Sequence, residues 1–220
     1  MKLWKRQFIE FILHNQALKF GQFTLKSGRC SPYFFNLGMI RTGSDLALLG
    51  RFYANALIES GIDFDIIFGP AYKGIFISTA TTIALAEYYG KKILYCCNRK
   101  ETKMHGEQGL FIGAPLKGRI ILVDDVITTG TTIHESMNMI QQQAHYYCKL
   151  SGILVALDRQ EMNNNIAATK EVEKYYNCKV ISLISITELI HYTDIINPHL
   201  AKQLRFYQFK YGYKNYFNNN

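Results

Sequence analysis

The stretch RIILVDDVITTGTT, at residues 119–132, constrains the fold more than any other part of the chain. Its apolar run ends in two adjacent acids, Asp124 and Asp125, and hydroxyl residues around Gly130 follow before a helical pattern begins at Ile133. The apolar run is typical of a buried parallel strand, which would carry both carboxylates to its carboxyl end. The turn would present backbone N–H groups at a helix amino terminus, where phosphates bind. Since carboxylates bind sugar hydroxyls or Mg²⁺, the stretch predicts a site for a phosphorylated ribose.

Other phosphate-binding motifs do not account for this stretch. A Walker A loop requires a glycine-rich run that ends in Gly-Lys-Ser or Gly-Lys-Thr, and the sequence has none. A dinucleotide-binding fingerprint requires Gly-x-Gly-x-x-Gly after the first strand, which is also missing. An ordinary buried strand with a polar turn is disfavoured, because paired acids at the end of such a strand need a compensating partner.

The size and charge of the chain narrow the class of partner. The sequence has 220 residues, enough for one domain with a substantial core. Its formal charge is +8 and its pI about 9.2, which suits either nucleic acid or a polyanionic small molecule. The basic residues are scattered except for a dense cluster at 99–103, and no helical pattern is continuously basic. The charge by itself leaves both kinds of partner open; of the two, we expect a polyanionic substrate and no nucleic acid.

Cysteine usage and hydropathy indicate a cytoplasmic protein. The five cysteines are an odd number without Cys-x-x-Cys spacing, which is typical of reduced thiols rather than disulfides or a zinc site. The amino-terminal segment is interrupted by Gln7, Glu10 and His14 and lacks the pattern of a signal peptide. No apolar run approaches the length of a membrane span, so we expect no membrane contact.

Strand and helix patterns alternate along the middle of the chain. Helical patterns such as 75–89 and 131–143 separate apolar runs at 64–68, 92–97, 119–123, 150–157 and 179–184. This alternation predicts an α/β fold with a doubly wound parallel sheet.

The segments outside this alternation are expected to form a separate part of the same domain. We predict one domain over 1–220, with the sheet core at 60–185 and a small amino-terminal cap, or hood, at 1–40. In the cap, a helical pattern over 3–16 is followed by short strands or an ordered loop over 20–36.

Three polar strand ends should converge on one cleft, because ligands of open α/β sheets bind at the carboxyl ends of the strands. They are the turn GPAYKG at 69–74, the segment 99–113 and the turn at 124–132. The glycines and proline of GPAYKG impose an unusual backbone path with Lys73 at its tip. This turn predicts a cradle for a diphosphate; the alternative is a tight turn with a solvated lysine.

The segment NRKETKMHGEQG, at 98–109, places four basic side chains close together: Arg99, Lys100, Lys103 and His105. A polar loop of this length is uncommon in a compact domain unless it works as a lid, so we predict a mobile catalytic loop over 99–113. Cations that meet a leaving pyrophosphate in the closed state would stabilise the transition state. The alternative is a solvated surface loop.

Two further segments carry residues suited to a ligand. In FTLKSGRCSPYFFN, at 23–36, Lys26 lies among small and apolar residues ahead of Phe34 and Phe35, and from the residues alone packing of the cap explains this pattern better than binding does. In LDRQE, at 157–161, Arg159 follows a strand and could pair bidentately with a ligand carboxylate. A local pair between Asp158 and Arg159 is the alternative.

Taken together, these segments resemble the bacterial orotate phosphoribosyltransferases over essentially the whole chain. The stretch at 119–132 alone resembles the PRPP-binding loop of type I phosphoribosyltransferases, and FTLKSG, SPYFFN and RKETKMHGE narrow the likeness to the orotate family. The resemblance implies conversion of orotate and PRPP to orotidine 5′-monophosphate and pyrophosphate, with Mg²⁺, in de novo pyrimidine (UMP) synthesis. It also implies a homodimer whose lid residues act in the neighbouring active site.

The resemblance further implies a role for each site residue. The residues with catalytic roles would be Lys26, Lys103, Asp124 and Asp125. The residues that bind PRPP would be Lys26, Tyr72, Lys73, Arg99, Lys100, Lys103, His105, Asp124, Asp125, Val126, Ile127, Thr128, Thr129, Gly130, Thr131 and Thr132. The residues that line the orotate pocket would be Lys26, Phe34, Phe35, Thr128 and Arg159. Mg²⁺ would be held mainly by PRPP and water, without dedicated protein ligands.

Two other functions stay open at this point. A purine phosphoribosyltransferase would share the PRPP-binding loop but would not need Lys26 or Arg159. A non-catalytic, PRPP-binding regulator of the same fold that binds nucleic acid would agree with the +8 charge, but it could do without the lid cations.

Overall fold

A computed structural model of the chain describes residues 1–25, 27–103, 109–127, 130–143, 147–163 and 166–213. In this part of the chain the α-helices are α1 (Leu3–His14), α2 (Gly43–Ser60), α3 (Lys73–Tyr89), α4 (Thr131–Gln143), α5 (Ala168–Tyr176), α6 (Ile186–Ile196) and α7 (Pro198–Tyr211). The strands are β1 (Leu18–Thr24), β2 (Cys30–Phe35), β3 (Ile66–Gly69), β4 (Leu94–Lys103), β5 (Gly109–Gly113), β6 (Gly118–Ile127), β7 (Cys148–Asp158), β8 (Met162–Asn163), β9 (Ile166–Ala167) and β10 (Lys179–Ser185).

The central sheet has six strands in the order β10-β7-β6-β3-β4-β5. All neighbouring pairs are parallel except the edge pair β4–β5, which is antiparallel. Strands β1 and β2 form a separate antiparallel hairpin. The predicted α/β class and parallel sheet are confirmed, with one antiparallel edge strand and a small amino-terminal sheet in addition.

Helices cover both faces of the central sheet, as the side chains of β6 show. Ile121 and Val123 pack in one apolar cluster with α1, α2, α3, α6 and α7. Ile120 and Leu122 pack in a second cluster with residues of α4 and α5. Since β6 is buried on both faces, it reads in the sequence as an unbroken apolar run rather than an alternating one.

The segment predicted as a long polar loop is a hairpin at its two ends. Strand β4 continues through Lys103, and β5 returns along it with Cys97 opposite Ile112 and Asn98 opposite Phe111. The prediction missed these strands because an edge hairpin needs no apolar alternation: its backbone pairing is satisfied whatever the side chains.

The amino-terminal hairpin is held against the carboxyl-terminal helix. The ring of Tyr33, on β2, lies 6.0 Å from the ring of Tyr207, on α7, in an edge-to-face arrangement. Helix α1 buries Phe8, whose ring lies 5.2 Å from that of Phe52 on α2. A hydrogen bond of 3.4 Å from Nη2 of Arg159 to Oγ of Ser31, on β2, sets the hairpin beside the carboxyl end of β7. No helix in the described part of the chain is long and apolar enough to span a membrane.

Candidate active site

The register of the parallel strands brings the ends of β3, β6 and β7 to one edge of the sheet, where β4 runs beside β3 and continues into the β4–β5 hairpin. Gly69 at the end of β3 pairs with Cys97 of β4. Ile127 at the end of β6 pairs with Asp158 at the end of β7. The turns that follow these strands therefore start side by side, which is the position where open α/β sheets bind ligands.

The turn between β3 and α3 depends on two glycines. A Cβ atom on Gly69 would lie 1.9 Å from the carbonyl oxygen of Gly74, and one on Gly74 would lie 2.6 Å from the carbonyl carbon of Gly69. The turn is closed by a hydrogen bond of 2.9 Å from the Gly74 N–H to the Pro70 carbonyl. The Ala71 N–H donates to Oδ1 of Asn98 at 2.9 Å, so the turn is also tied to β4.

Lys73 joins this turn to the acid pair. Its Nζ forms a salt bridge with Oδ2 of Asp125, a carboxylate that is 11% exposed. The alternative of a solvated lysine at the tip of the turn therefore does not describe the structure. An ammonium ion between two backbone turns is placed to meet an anion that spans both.

Asp124 lies in an environment that opposes its ionisation. Burial, and then the charge of Asp125, raise the pKa of Asp124 from 3.8 to about 7. Its Oδ1 accepts a hydrogen bond of 2.8 Å from the Asp125 N–H, and its backbone carbonyl accepts one of 2.8 Å from the Tyr53 hydroxyl. A carboxyl group with a raised pKa at a strand end indicates a site that a ligand completes.

Gly130 and the first turn of α4 have the geometry expected of an anion site. Gly130 has φ +77°, and a Cβ there would lie 2.8 Å from Cγ2 of Val172, so only glycine fits. Its carbonyl accepts hydrogen bonds from the N–H groups of Ile133 at 3.0 Å and His134 at 3.1 Å. The exposed residues Thr131 and Thr132 open helix α4 at the positions where N–H groups and the helix dipole favour a phosphate.

The hairpin β4–β5 carries cations beside the glycine-rich turn. Nη1 of Arg99 donates to the carbonyls of Gly109 and Phe111, both at 3.2 Å, so this side chain holds the two strands together. Nζ of Lys100 lies 5.0 Å from the centre of the Tyr72 ring, which is 66% exposed. The hairpin and the turn are thus in direct contact.

The two phenylalanines of β2 point to opposite faces of the hairpin. Phe34 is 42% exposed and its ring lies 5.6 Å from that of Phe23, whereas Phe35 is 6% exposed and belongs to the apolar core. Because side chains alternate along a strand, a ligand on the open face meets the ring of Phe34 but only the backbone of Phe35.

Arg159 is buried rather than displayed on the surface. It is 5% exposed and donates from Nε to Oε1 of Glu161 at 2.7 Å. Oδ1 of Asp158 instead accepts a hydrogen bond of 2.8 Å from the Gln160 N–H, and burial raises the pKa of Asp158 to about 6. The local Asp158–Arg159 pair considered from the sequence is therefore replaced by an Arg159–Glu161 pair.

Several predicted site residues lie outside the described residues. They are Lys26, His105, Thr128 and Thr129, together with the side chain of Lys103.

Four residues of this region were missed from the sequence: Tyr53, Asn98, Glu161 and Tyr207. Asn98 follows the apolar run at 92–97 and Glu161 follows β7, both within segments already singled out, so their positions offered a signal. Tyr53 and Tyr207 come from helices far away in the chain, where helical spacing predicts only burial.

Known proteins similar to this chain include several orotate phosphoribosyltransferases. An orotate phosphoribosyltransferase from Erwinia tasmaniensis is 57% identical over 216 residues, which cover 96% of this chain and 100% of the relative. The structure of orotate phosphoribosyltransferase from Francisella tularensis matches with a TM-score of 0.82 at 40% identity, over 94% of this chain and 99% of that one. A Mycobacterium tuberculosis orotate phosphoribosyltransferase in complex with PRPP matches with a TM-score of 0.61 at 19% identity, over 84% and 98% of the two chains, which concerns the fold alone. No model of a known protein family matches the chain.

The sheet order, the acid-bearing strand and the glycine turns define a phosphoribosyltransferase with the type I fold. Within that class, the sequence identity with the bacterial relatives identifies orotate as the substrate base. This identity extends along nearly the whole length of both chains. The chain belongs to the orotate phosphoribosyltransferase family and is an enzyme of pyrimidine biosynthesis. The purine alternative and the non-catalytic alternative are set aside.

Proposed function

We propose that the carboxyl edge of the central sheet is where this enzyme transfers the 5-phosphoribosyl group from PRPP to a ring nitrogen of orotate. The observation that carries this assignment is the Lys73–Asp125 salt bridge, because it joins the glycine-rich turn to the acid pair and the anion-binding turn. PRPP has a diphosphate, a diol and a 5′-phosphate in that order, which matches these three parts. The anomeric C–O bond breaks as the C–N bond forms, pyrophosphate leaves, and the proton of the attacking ring nitrogen passes to solvent.

The acid pair and the turn after β6 would hold the phosphoribosyl group. Asp124 and Asp125 would bind the ribose hydroxyls, and 126–132 would wrap the 5′-phosphate with backbone N–H groups. Positive charge develops on the ribose ring in an oxocarbenium-like transition state. Two carboxylates at this position would stabilise that charge, as preorganised groups do in other enzymes.

The glycine-rich turn and the hairpin β4–β5 would receive the diphosphate. The residues in this role are Tyr72, Lys73, Arg99, Lys100, Lys103 and His105, with Lys103 as the main catalytic cation. Support comes from the Lys100–Tyr72 contact, which sets the hairpin directly over the turn. We propose that 99–113 works as a lid, so that its cations meet the leaving group mainly in the closed state.

The amino-terminal hairpin and the end of β7 would hold orotate. Lys26 would lie between PRPP and the base, Phe34 would contribute its ring and Phe35 its backbone, and Thr128 and Arg159 would complete the pocket. The contact between the Tyr33 ring of β2 and the guanidinium of Arg159, at 4.5 Å, supports this placement because it sets the hairpin beside Arg159. We accordingly treat 1–40 as a cap on the core at 60–185 within one domain.

We propose Mg²⁺ as the metal ion of the reaction, carried by the substrate. Asp125 is already paired with Lys73, and the described residues contain no group of three or more His, Cys, Asp or Glu side chains that could hold a metal. Mg²⁺ prefers oxygen ligands and commonly binds through substrate phosphates and water. Asp124 and Asp125 would then meet it through water or ribose hydroxyls, and the ion would offset charge on the leaving diphosphate.

We also propose a cytoplasmic homodimer in which each lid reaches the partner's site. All five cysteines are free thiols, which suits a reducing compartment. Support for a dimer comes from the groove between α2 and α3, which is lined by Leu46, Arg51, Ile83 and Tyr88. Ile83 and Tyr88 are 53% and 51% exposed, so a second copy would cover apolar surface there.

The direct test is the loss of orotate absorbance with PRPP and Mg²⁺, in parallel with adenine, hypoxanthine and uracil. We expect turnover with orotate and none of comparable rate with the other bases. A higher kcat/KM for a purine than for orotate would overturn the assignment.

A further inference from the structure

The guanidinium of Arg159 lies in a buried network built from three distant segments of the chain. Its Nε donates to Oε1 of Glu161 at 2.7 Å. Its Nη2 donates to the hydroxyl of Tyr207 at 3.0 Å and to Oγ of Ser31 at 3.4 Å. The guanidinium also lies 4.5 Å from the centre of the Tyr33 ring. Strand β2, the end of β7 and helix α7 therefore meet at this one side chain.

The carboxylate of Glu161 has donors on both oxygens. Oε1 accepts from the Tyr207 hydroxyl at 2.8 Å as well as from Arg159, and Oε2 accepts from Nη1 of Arg29 at 3.2 Å. Glu161 is 9% exposed, and an acid this buried needs such partners. Arg159, Glu161 and Tyr207 thus form a closed triangle of hydrogen bonds, which we call the α7 brace.

The backbone beside the brace is fixed as well. The Tyr213 N–H donates to the carbonyl of Gln160 at 3.1 Å, and Glu161 forms a β-bridge with Gly212. Nε2 of Gln208 donates to Oε1 of Gln160 at 3.2 Å. The end of α7 therefore holds the segment after β7 through both side chains and backbone.

The brace occupies one edge of the Arg159 guanidinium and leaves the other available. Nε and Nη2 are used by Glu161, Tyr207 and Ser31. Among the described residues, none accepts a hydrogen bond from Nη1 of Arg159. A planar guanidinium locked along one edge presents the remaining N–H groups in a fixed direction.

We propose that Glu161 and Tyr207 are positioning residues for base recognition: they hold Arg159 so that Nη1 meets the carboxylate of orotate. This inference rests on the proposed role of Arg159 in the orotate pocket. It makes helix α7, which belongs to neither the sheet nor the PRPP-binding turns, a determinant of base specificity.

The test uses Glu161→Gln and Tyr207→Phe. Glu161→Gln weakens a hydrogen bond between charged groups, and we expect it to raise the KM for orotate about tenfold or more. Tyr207→Phe removes a single hydroxyl, and we expect it to raise this KM about fivefold. The KM for PRPP and kcat should stay within about twofold, because the brace does not touch the PRPP-binding parts. The affinity for orotidine 5′-monophosphate should also fall relative to that for UMP, which lacks the carboxylate.

The matched control is Arg205→Gln on α7, which removes a surface ion pair between Arg205 and Asp194 of α6. This variant should leave both KM values unchanged. If Glu161→Gln fails to fold, Tyr207→Phe decides, since it deletes a single hydroxyl.

Two results would overturn the inference: an equal change in the affinities for both nucleotides, or a lower KM for orotate in Glu161→Gln. The second result would show that Glu161 competes with the substrate for Arg159. Failure of the underlying function looks different, because then the unmodified enzyme would not consume orotate, or Arg159→Met would leave the KM for orotate unchanged.

Discussion

At the scale of single residues, the site contains ionisable groups whose burial lowers the stability of the fold unless a partner compensates their charge. Asp124 is buried beside a second acid, and Lys73 compensates the charge of Asp125. Burial of ionisable groups costs stability unless it is compensated, and such costs concentrate where function requires them.

Replacing Lys103 with alanine should lower kcat far more than it weakens PRPP binding. If the ammonium meets mainly the departing pyrophosphate, its loss should cost about 10²-fold to 10³-fold in kcat, as for other transition-state contacts. Steady-state kinetics with PRPP varied, together with calorimetric binding of PRPP, separate the two effects. Lys117→Ala, at a lysine outside 99–113, is the control, and an unchanged kcat for Lys103→Ala would refute the lid assignment.

Asp124 should make the free enzyme less stable as the pH rises towards neutrality. The pKa of Asp124 is about 7 in the folded chain and near 3.8 when unfolded, so the folded state binds the additional proton between these values. The stabilisation is therefore complete below about pH 4 and is lost as the pH rises through 7.

This dependence can be measured as the melting temperature between pH 4.5 and 7.5 for the unmodified enzyme and for Asp124→Asn. Between these pH values the melting temperature of Asp124→Asn should fall less than that of the unmodified enzyme. Asp65→Asn is the control, because hydrogen bonds from Arg119 lower the pKa of the exposed Asp65 to about 2, below this window. An identical slope for Asp124→Asn would contradict the prediction.

At the scale of elements, the turn between β3 and α3 shows how two glycines set the start of a helix. Gly69 and Gly74 approach each other more closely than any Cβ allows, and this brings Lys73 towards β6. The same turn is tied to β4 through Asn98. The cradle is therefore a property of three neighbouring strands rather than of one loop.

Substitution of Gly69 by alanine should destabilise the enzyme and raise the KM for PRPP. A methyl group 1.9 Å from a backbone oxygen forces the turn to move, at a cost of roughly 2 kcal/mol or more. Urea unfolding measures the free energy of unfolding. Gly43→Ala is the matched control, because a Cβ there meets nothing within 4 Å and alanine suits the start of a helix. Equal stability of the two variants would argue against a tight turn.

At the scale of the whole molecule, the site gathers segments from nearly the full length of the chain. Tyr33 from the amino-terminal hairpin and Tyr207 from the last helix both contact Arg159 at the end of β7. The outer groove between α2 and α3 leaves apolar side chains exposed, which agrees with a second copy packed against it. We therefore expect two copies of the chain to pack together at this groove.

Co-expression of Lys103→Ala with Asp125→Asn chains should restore activity. If each lid acts in the partner's site, a mixed dimer has one site with both substitutions and one site with neither. Random pairing would then give about a quarter of the unmodified activity. Two Lys103→Ala chains with different affinity tags serve as the control, and no recovery in the mixed dimer would show that the lid acts within its own chain.

The sequence alone determined the α/β class, most strand positions, and which segments carry chemistry, because these depend on local periodicity and on residue types at strand ends. The acid pair, the glycine-rich turn and the glycine before α4 were recognised in this way. Only the tertiary structure decided which partners meet. In the folded chain Lys73 pairs with Asp125, and the ring of Phe35 is buried in the core. The two ends of 99–113 form the strands of a hairpin. Tyr207 and Glu161 both form hydrogen bonds with Arg159. The physical reason is that local pattern fixes the face a residue presents along its own element, whereas contacts between distant elements depend on strand order, register and helix packing, which no local window contains.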